Sequence, residues 1–337
     1  MTALLLSLPG DVLIAILVNL DVKDLLCTLQ ASLENVLAKL YDYIISLNTQ
    51  TCRALYVFCA STDYIWHNIK IDYPLNLPHQ VITNIPSAEL RKHCVEGLRI
   101  DYNWRKNPPN LKTLSRIDNG GIIEQMQYLP PKWLVSMSRV STSLRPTCVL
   151  SIWDCDTSGD AKRIKRFSLE PHGLSKFSAS LSQDEKHVLV VIFNGHADTA
   201  ALIFPRGTNN RLVRFPVRSD DNGVTMSGPQ SELRSQTFYK TAAHVDMSPE
   251  FIALGPCGQR AVWLERAWNE ESDRTGFNVM KGAFSDQLGA VSNVGSLIPT
   301  YVALPFEVET CQSIAFDEAM GRVFLGLYTG EIYVLNL

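Results

Sequence analysis

The sequence predicts an α+β multidomain protein in which a small all-α helical module precedes an all-β propeller-like domain. Two observations predict this division. Near the start of the chain apolar residues recur at helical spacing, whereas from residue 99 onward short apolar runs alternate with turn residues. We place the helical module at 4–72, a linker rich in Pro, Asn and Ile at 73–98, and the β domain at 99–337.

The helical module begins with Leu8-Pro9-Gly10-Asp11. Proline suits the first turn of a helix, and an acidic residue there complements the positive end of the helix dipole. A second start follows at Asp21, which predicts an N-cap with Asp24 three residues on, as in a capping box. A third helical piece runs from about Thr51, and a short last turn carries Trp66.

The β domain contains four segments that share a pattern of strand, tight turn, strand, turn and strand. These segments span 122–154, 176–204, 244–264 and 312–335. Repetition of such units is typical of a β-propeller. Because the segments are unevenly spaced, the number of blades stays open, as does the alternative that 98–115 supplies strands that close the ring.

The composition restricts the function. Of 337 residues, 46% are apolar and 19% are charged, which is globular and excludes wholesale disorder. The formal net charge of -3 gives no reason to expect a nucleic-acid or membrane partner. No stretch approaches the roughly 18 uncharged apolar residues of a spanning helix. We therefore expect a soluble protein of the cytoplasm, the nucleus or both.

No motif in the sequence carries recognisable chemistry. The nucleophile-elbow, phosphate-loop, zinc-protease and dinucleotide motifs are all missing, so we expect no catalytic residue and no cofactor. The eight cysteines form no C-x-x-C pair, and we expect buried, reduced thiols. His93 and Cys94 are adjacent, which is a poor spacing for a metal, so we expect none. The basic run at 162–166 is interpreted as a solvated turn, and Trp263 as a buried residue.

The helical module resembles an F-box of the form common in fungal proteins. The resemblance rests on Leu8-Pro9-x-Asp11-Val12-Leu13, on Asp21-x-x-Asp24-Leu25-Leu26, and on Thr51-Cys52-Arg53-Ala54-Leu55 followed by Trp66. In that family a three-helix module docks on the Skp adaptor of a cullin–RING ubiquitin ligase. The resemblance implies an adaptor-binding face formed by Leu8, Pro9, Val12, Leu13, Ile16, Leu20, Leu25, Leu26, Cys52, Arg53 and Leu55.

Twenty residues, 31–50, interrupt this pattern, because Gln30 and Thr51 would be adjacent in a standard F-box. The two edges of the segment can be coded as the borders of a short intron with a GC donor, so we interpret it as a translated intron. The alternative is a real additional helix, with an apolar stripe from Leu33 to Leu47. A real helix at this turn would disturb adaptor docking.

The β domain is similar to a degenerate WD repeat, with one WD dipeptide at Trp153-Asp154. An F-box followed by a WD-like propeller implies the substrate-recognition subunit of an SCF-type ubiquitin ligase. The implied partners are a Skp-type adaptor, a cullin bound through it, and an unidentified protein substrate that is marked for degradation. The alternative is a non-catalytic propeller scaffold whose F-box the 31–50 segment disables.

Overall fold

A computed structural model describes the chain in two compact units, Met1–Asn103 (unit 1) and Trp104–Leu337 (unit 2). The described residues are 8–25, 57–59, 61–71, 73–75, 77, 85–141, 146–155, 161–169, 175–182, 187–194, 199–205, 250–256, 259–269, 274–283, 293–299 and 302–337. The segment 31–50 lies outside them, so both interpretations of it stay predictions.

The helices and strands are as follows. The helices are α1 (Gly10–Val18), α2 (Asp63–Asn68) and α3 (Ser87–Arg105). The strands are β1 (Thr113–Asp118), β2 (Ile122–Leu129), β3 (Trp133–Ser141), β4 (Pro146–Cys155), β5 (Ala161–Leu169), β6 (Ser175–Leu181), β7 (His187–Asn194), β8 (Thr199–Pro205), β9 (Glu250–Leu254), β10 (Arg260–Asn269), β11 (Arg274–Ala283), β12 (Asn293–Ser296), β13 (Cys311–Asp317), β14 (Arg322–Leu327) and β15 (Glu331–Asn336).

Unit 1 has its own apolar core, in which α1, α2 and α3 each bury side chains. Its fully or nearly buried members include Leu13, Leu17, Leu25, Ile65, Trp66, Leu90 and Cys94. The predicted cap at Asp21 is confirmed, because its Oδ1 accepts a 2.7 Å hydrogen bond from the backbone N–H of Asp24. Thr62 does not cap α2, since its hydroxyl donates instead to the carbonyl oxygen of Phe58 at 2.6 Å.

The predicted fold class, with an all-α F-box module ahead of the β domain, is wrong. The described residues contain fifteen strands in antiparallel sheets against three α-helices, so this part of the chain is mostly β, and no all-α F-box module is evident in it. The longest described helix, α3, has no counterpart among the F-box helices predicted from sequence and runs from Ser87 to Arg105. The helix forms because Leu90, Cys94 and Ile100 lie on one buried face. The sequence analysis assigned the first part of this helix to the linker, because the residues just before it are rich in Pro.

Unit 2 is built from antiparallel sheets. Most of its strands lie where the sequence predicts them, but β5, β11 and β12 lie outside the four predicted segments. In spatial order the sheets are β2-β3-β4-β5, β6-β7-β8, β12-β11-β10-β9 and β1-β15-β14-β13. One strand from each sheet takes part in the contacts between sheets: β2 contacts both β6 and β13, and β13 also contacts β9. We call β2, β6, β9 and β13 the innermost strands.

The last sheet is completed by the first strand of unit 2. β1 pairs antiparallel with β15, in a register that runs from Thr113 opposite Asn336 to Asp118 opposite Glu331. Residues before the first repeat therefore contribute a strand, as the sequence analysis left open. The strand begins at Thr113, however, because residues 99–104 belong to α3.

Side chains join the innermost strands to each other. The side-chain amide of Gln125 on β2 donates to the carbonyl oxygen of Phe177 on β6 at 2.7 Å and accepts from its backbone N–H at 2.9 Å. Gln127 makes the same two-way contact with Ala179. On the other side, the backbone N–H of Met126 donates to the hydroxyl of Ser313 on β13. These contacts satisfy polar groups that would otherwise be buried between sheets without partners.

Candidate functional site

A cavity of about 780 Å³ lies at the innermost strands of unit 2. Its lining comes mainly from β2, β9 and β13, with single residues from β3 and β6 and from the turn after β14. The lining residues are Ile122, Ile123, Glu124, Gln125, Met126, Arg139, Lys176, Phe251, Ile252, Gln312, Ser313, Ile314 and Tyr328. Cavities of this size are typical of ligand sites.

Irregular pairing in three strands shapes this cavity. The register between β2 and β3 shifts at Glu124, the register between β13 and β14 shifts at Gln312, and β9 carries one extra residue opposite β10 around Phe251 and Ile252. Each shift is a β-bulge, which redirects side chains and interrupts pairing. Every bulged residue lines the same cavity. Three bulges that converge on one space are the main geometric feature of the site.

Phe251 has the least favourable backbone in this group. Its φ angle is 51°, in the left-handed region that a bulky residue adopts at an energetic cost. The bulge places Phe251 and Ile252 on the same side of the sheet, where their side chains are 41% and 56% exposed. Tyr328 adds a third apolar surface, with 58% exposure. The cavity therefore presents a cluster of apolar side chains to solvent.

The charges in the lining are unequal. Nε of Arg139 donates to Oε1 of Glu124 at 2.6 Å, and its Nη2 donates to the same oxygen. These hydrogen bonds, together with the charge of Glu124, raise the pKa of Arg139 above its usual value. Lys176 is exposed and has no ion pair among the described residues. Arg139 and Lys176 against Glu124 leave the described lining with a net positive charge.

Cys148 lies near this ion pair but is not a reactive group. Burial raises the pKa of its thiol, and Glu124 adds to this effect while Arg139 opposes it. A thiol with a raised pKa stays protonated at neutral pH and is a poor nucleophile.

Glu124, whose Oε1 already accepts both bonds from Arg139, serves to position that guanidinium. The described lining is therefore equipped for binding through apolar contacts and cationic groups.

The described members of the predicted adaptor-binding set lie in unit 1, some in its core and some exposed, and the set as a whole stays a prediction. Leu13 and Leu25 are buried in the unit 1 core, and Leu20 is partly buried against it. Leu8, Pro9, Val12 and Ile16 are exposed along α1. Leu26, Cys52, Arg53 and Leu55 lie outside the described residues. Leu13 is buried because it lies one helical turn from the buried Leu17, on the same face of α1.

Other residues that the sequence singled out have ordinary structural positions. The basic run 162–166 lies on β5, a strand rather than the predicted turn, and is mostly exposed. Trp263 is buried as predicted, and its indole N–H donates to Oε2 of Glu265 at 3.3 Å. Within the part of the chain that the structure describes, no three His, Cys, Asp or Glu side chains are grouped as metal ligands. The expected absence of a metal stays a prediction.

No sequence signal pointed to the cavity. The composition of residues 122–126 and 251–252 predicts ordinary strands. It does not predict the bulges, because a bulge depends on how two strands pair and not on local composition. The one local clue is that Phe251 follows Ser248-Pro249-Glu250, a turn cluster close to the strand.

No family model matches the chain, and no curated protein matches it. The F-box assignment rests on a resemblance that these comparisons do not recover, and it is therefore wrong. The SCF substrate-receptor function depended on that assignment and falls with it. The ubiquitin-ligase complex and the degradation role implied by it are corrected on the same ground.

Solved structures align with the chain at low similarity. One is the catalytic domain of a GH62 α-L-arabinofuranosidase from Coprinopsis cinerea, with 12% identity, a TM-score of 0.28, and coverage of 64% of this chain and 90% of that one. Another is a glycosyl hydrolase from Bacteroides ovatus, with 8% identity, a TM-score of 0.31, and coverage of 68% and 92%. TM-scores this low assign no fold and no activity.

The expectation that the chain is not an enzyme also needs correction. It rested on missing motifs and on the F-box resemblance, neither of which excludes catalysis, and the solved structures that align with the chain are glycosyl hydrolases. Among the described helices, none is both long and apolar enough to cross a membrane.

Proposed function

We propose that unit 2 is a protein-interaction domain whose cavity binds a short peptide segment of another protein. The observation that supports this most is the convergence of three β-bulges on one cavity. They bring exposed apolar side chains together with two cationic groups. Exposed clusters of large apolar side chains, rimmed by polar groups, are typical of interaction sites.

The chemistry of the lining favours one kind of segment. Phe251, Ile252 and Tyr328 offer contact area to an apolar side chain. Lys176 and the guanidinium of Arg139 favour a carboxylate nearby, and Arg139 is held in place by Glu124. We therefore expect a segment in which an apolar or aromatic residue is next to an acidic one, or to a carboxyl terminus.

A location in the cytoplasm or the nucleus is part of this proposal. Cys59, Cys94, Cys148 and Cys311 are buried as free thiols. Buried thiols that are not cross-linked are ordinary in reducing compartments, whereas secreted proteins commonly pair them.

Selection of peptides on the full-length chain tests the proposal. Peptides from a random display library are synthesised with a fluorescent label, and their dissociation constants are measured by anisotropy. We expect selected peptides to combine an apolar and an acidic position. Tyr328→Ala and Lys176→Glu should each weaken binding by about tenfold or more, because each removes one of the two recognition elements.

Matched controls come from exposed residues elsewhere. Tyr102→Ala removes a tyrosine that is 67% exposed, and Lys162→Glu reverses an exposed lysine on β5. Both variants should bind the peptides like the unaltered chain. Equal affinities for the cavity variants and these controls would rule out the cavity as the binding site.

A further inference from the structure

Helix α3 of unit 1 has two faces of different character. Leu90, Cys94 and Gly97 lie on the buried face. At 100° per residue, positions 88, 92, 95, 96 and 99 lie on the opposite face, with 91 at its edge. Glu89 and Glu96 are exposed beside Lys92 and Arg99, so the exposed face carries both signs of charge. The part of α3 that carries Arg91, Lys92 and Arg99 against the single carboxylate of Glu96 has a net positive charge.

This part of α3 lines a groove of about 570 Å³, which we call the α3 groove. It is lined by Trp66, Ser87, Ala88, Arg91, Lys92, Val95, Glu96 and Arg99. Trp66 belongs to α2, and the other residues belong to α3. The groove thus has an apolar floor, made by Trp66, Ala88 and Val95, between cationic side chains. Because Trp66 comes from α2, the groove is formed by two helices and is not a convex face of α3 alone.

Two contacts prepare the groove for an anionic ligand. The guanidinium of Arg91 lies 5.7 Å from the centroid of the Trp66 ring, which restrains its orientation. The indole N–H of Trp66 donates to the carbonyl oxygen of Cys59 at 2.8 Å, so the ring itself is fixed. Lys92 and Arg99 form no ion pair or hydrogen bond with the described residues. Their charges are available to a ligand.

The spacing of the charges indicates the shape of that ligand. Lys92 and Arg99 are seven residues apart on one helix face, which is about 10 Å at 1.5 Å per residue. An extended chain in the polyproline II conformation advances about 9 Å in three residues and returns to the same face. Acidic side chains at positions i and i+3 of such a segment therefore match the two cations. A small apolar residue between them would lie over Val95.

We propose that the α3 groove binds an acidic peptide segment with carboxylates at i and i+3 and an apolar residue between them. Glu96 lies at the rim, where its charge opposes an anionic ligand and limits the affinity. This site is separate from the cavity of unit 2, and the proposal is independent of the function proposed there.

Fluorescence anisotropy with synthetic peptides on the full-length chain tests this site. The probe carries two glutamates at i and i+3, separated by proline and leucine. A second peptide has the glutamates adjacent, and a third has glutamine in both positions. We expect the first peptide to bind about tenfold more tightly than either of the others, since only it offers two carboxylates at the spacing of the cations.

Variants of the groove sharpen the test. Lys92→Glu combined with Arg99→Glu should weaken binding of the first peptide by about tenfold or more. Glu96→Gln should strengthen it by about two- to fivefold, an effect that general damage to the helix would not produce. Lys162→Glu on β5 changes the net charge without touching the groove, and it should leave the affinity unchanged. Circular dichroism confirms that each variant keeps its helix content.

Three results would overturn the proposal. One is equal affinity for the i, i+3 peptide and its glutamine counterpart. Another is unchanged binding by the Lys92 and Arg99 double variant when its helix content is intact. A third is tighter binding of a single-stranded oligonucleotide than of the peptide, which would make the groove a nucleic-acid site.

Discussion

Lys281 on β11 is completely buried, and its ammonium has no hydrogen-bond partner among the described residues. Burial lowers the pKa of this lysine from 10.5 to about 8. A buried charge without a partner costs stability, so Lys281 destabilises the fold at neutral pH. The residue is a local exception to the rule that lysine remains at the surface.

Lys281→Met should therefore stabilise the chain, by about 2–3 kcal/mol at pH 7. Below pH 8 the lysine is protonated in both the folded and the unfolded chain, and its cost is fully present. As the pH rises from about 8 toward 10.5, the folded chain loses the proton before the unfolded chain does, so the unaltered protein becomes more stable. The advantage of the methionine variant should shrink over that range. Urea unfolding at pH 7 and pH 10 measures both values, and equal stability of the two proteins at pH 7 would contradict the expectation.

Arg322 on β14 and Asp317 on β13 form a buried ion pair, with Nη2 and Oδ2 2.7 Å apart. Arg322 also donates to the carbonyl oxygen of Cys155 and to the hydroxyl of Tyr128, each at 3.0 Å. These bonds connect the last sheet to the β2-β3-β4-β5 sheet. All three nitrogens of the guanidinium donate hydrogen bonds to buried groups, so Arg322 contributes to stability rather than to recognition.

Removal of one partner of this ion pair should lower the free energy of unfolding substantially. Asp317→Ala leaves a buried guanidinium without its carboxylate and is expected to cost about 3–5 kcal/mol. The double variant, in which Arg322→Met is added, should lose less than the sum of the two single losses, because it removes the stranded charge as well. A double-mutant cycle by urea unfolding gives the coupling, and strictly additive losses would show that the pair does not act as a unit.

At the scale of elements, the pairing of β1 with β15 is the contact with the greatest sequence separation in the last sheet. The backbone N–H of Asn119 donates to the carbonyl oxygen of Gly330, which fixes the alternation of this ladder. Hydrogen-bonded and non-hydrogen-bonded positions alternate along an antiparallel pair. Ser115 lies four residues before Asn119, so its backbone N–H also points toward β15, opposite Val334. The N–H of Arg116, one residue further on, points away from β15. The two neighbouring residues thus differ in what a proline would remove.

Ser115→Pro should cost about 2–3 kcal/mol, because it deletes a ladder hydrogen bond and leaves a carbonyl oxygen without a donor. Arg116→Pro should cost about 1 kcal/mol, since its N–H points away from β15 and only the exposed ion pair with Glu331 is lost. Thermal unfolding of both variants measures the difference. Equal losses, or a greater loss for Arg116→Pro, would show that β1 does not pair in this register.

At the scale of the whole molecule, the strands were predictable and their irregularities were not. Segments such as 187–193 and 322–327 consist of consecutive apolar residues between turn signals, so local composition was enough to place β7 and β14. The bulges at Glu124, Phe251 and Gln312 arise from the alignment of one strand with another, and no local pattern encodes that alignment. Four of the thirteen residues that line the candidate site are bulged residues, among them two of its exposed apolar side chains.

In unit 1 the sequence predicted local structure correctly but the protein family wrongly. The capping pattern at Asp21 and the helix around Trp66 were predicted correctly, because capping and amphipathic spacing act over a few residues. The same residues suggested a family that the comparisons do not support. A short pattern of leucines and aspartates fits many helical starts, so it determines local structure far better than it determines ancestry or partners.

The sequence by itself determined where most strands of unit 2 begin and end, that Asp21 caps a helix, and that several thiols are buried. Each of these depends on hydrophobic periodicity or turn chemistry within about ten residues. Only the tertiary structure decided that β1 completes the last sheet, that three bulges line one cavity, and that Trp66 contributes to the α3 groove. Those features depend on contacts between residues far apart in the chain, whose geometry is fixed only when the sheets and helices pack.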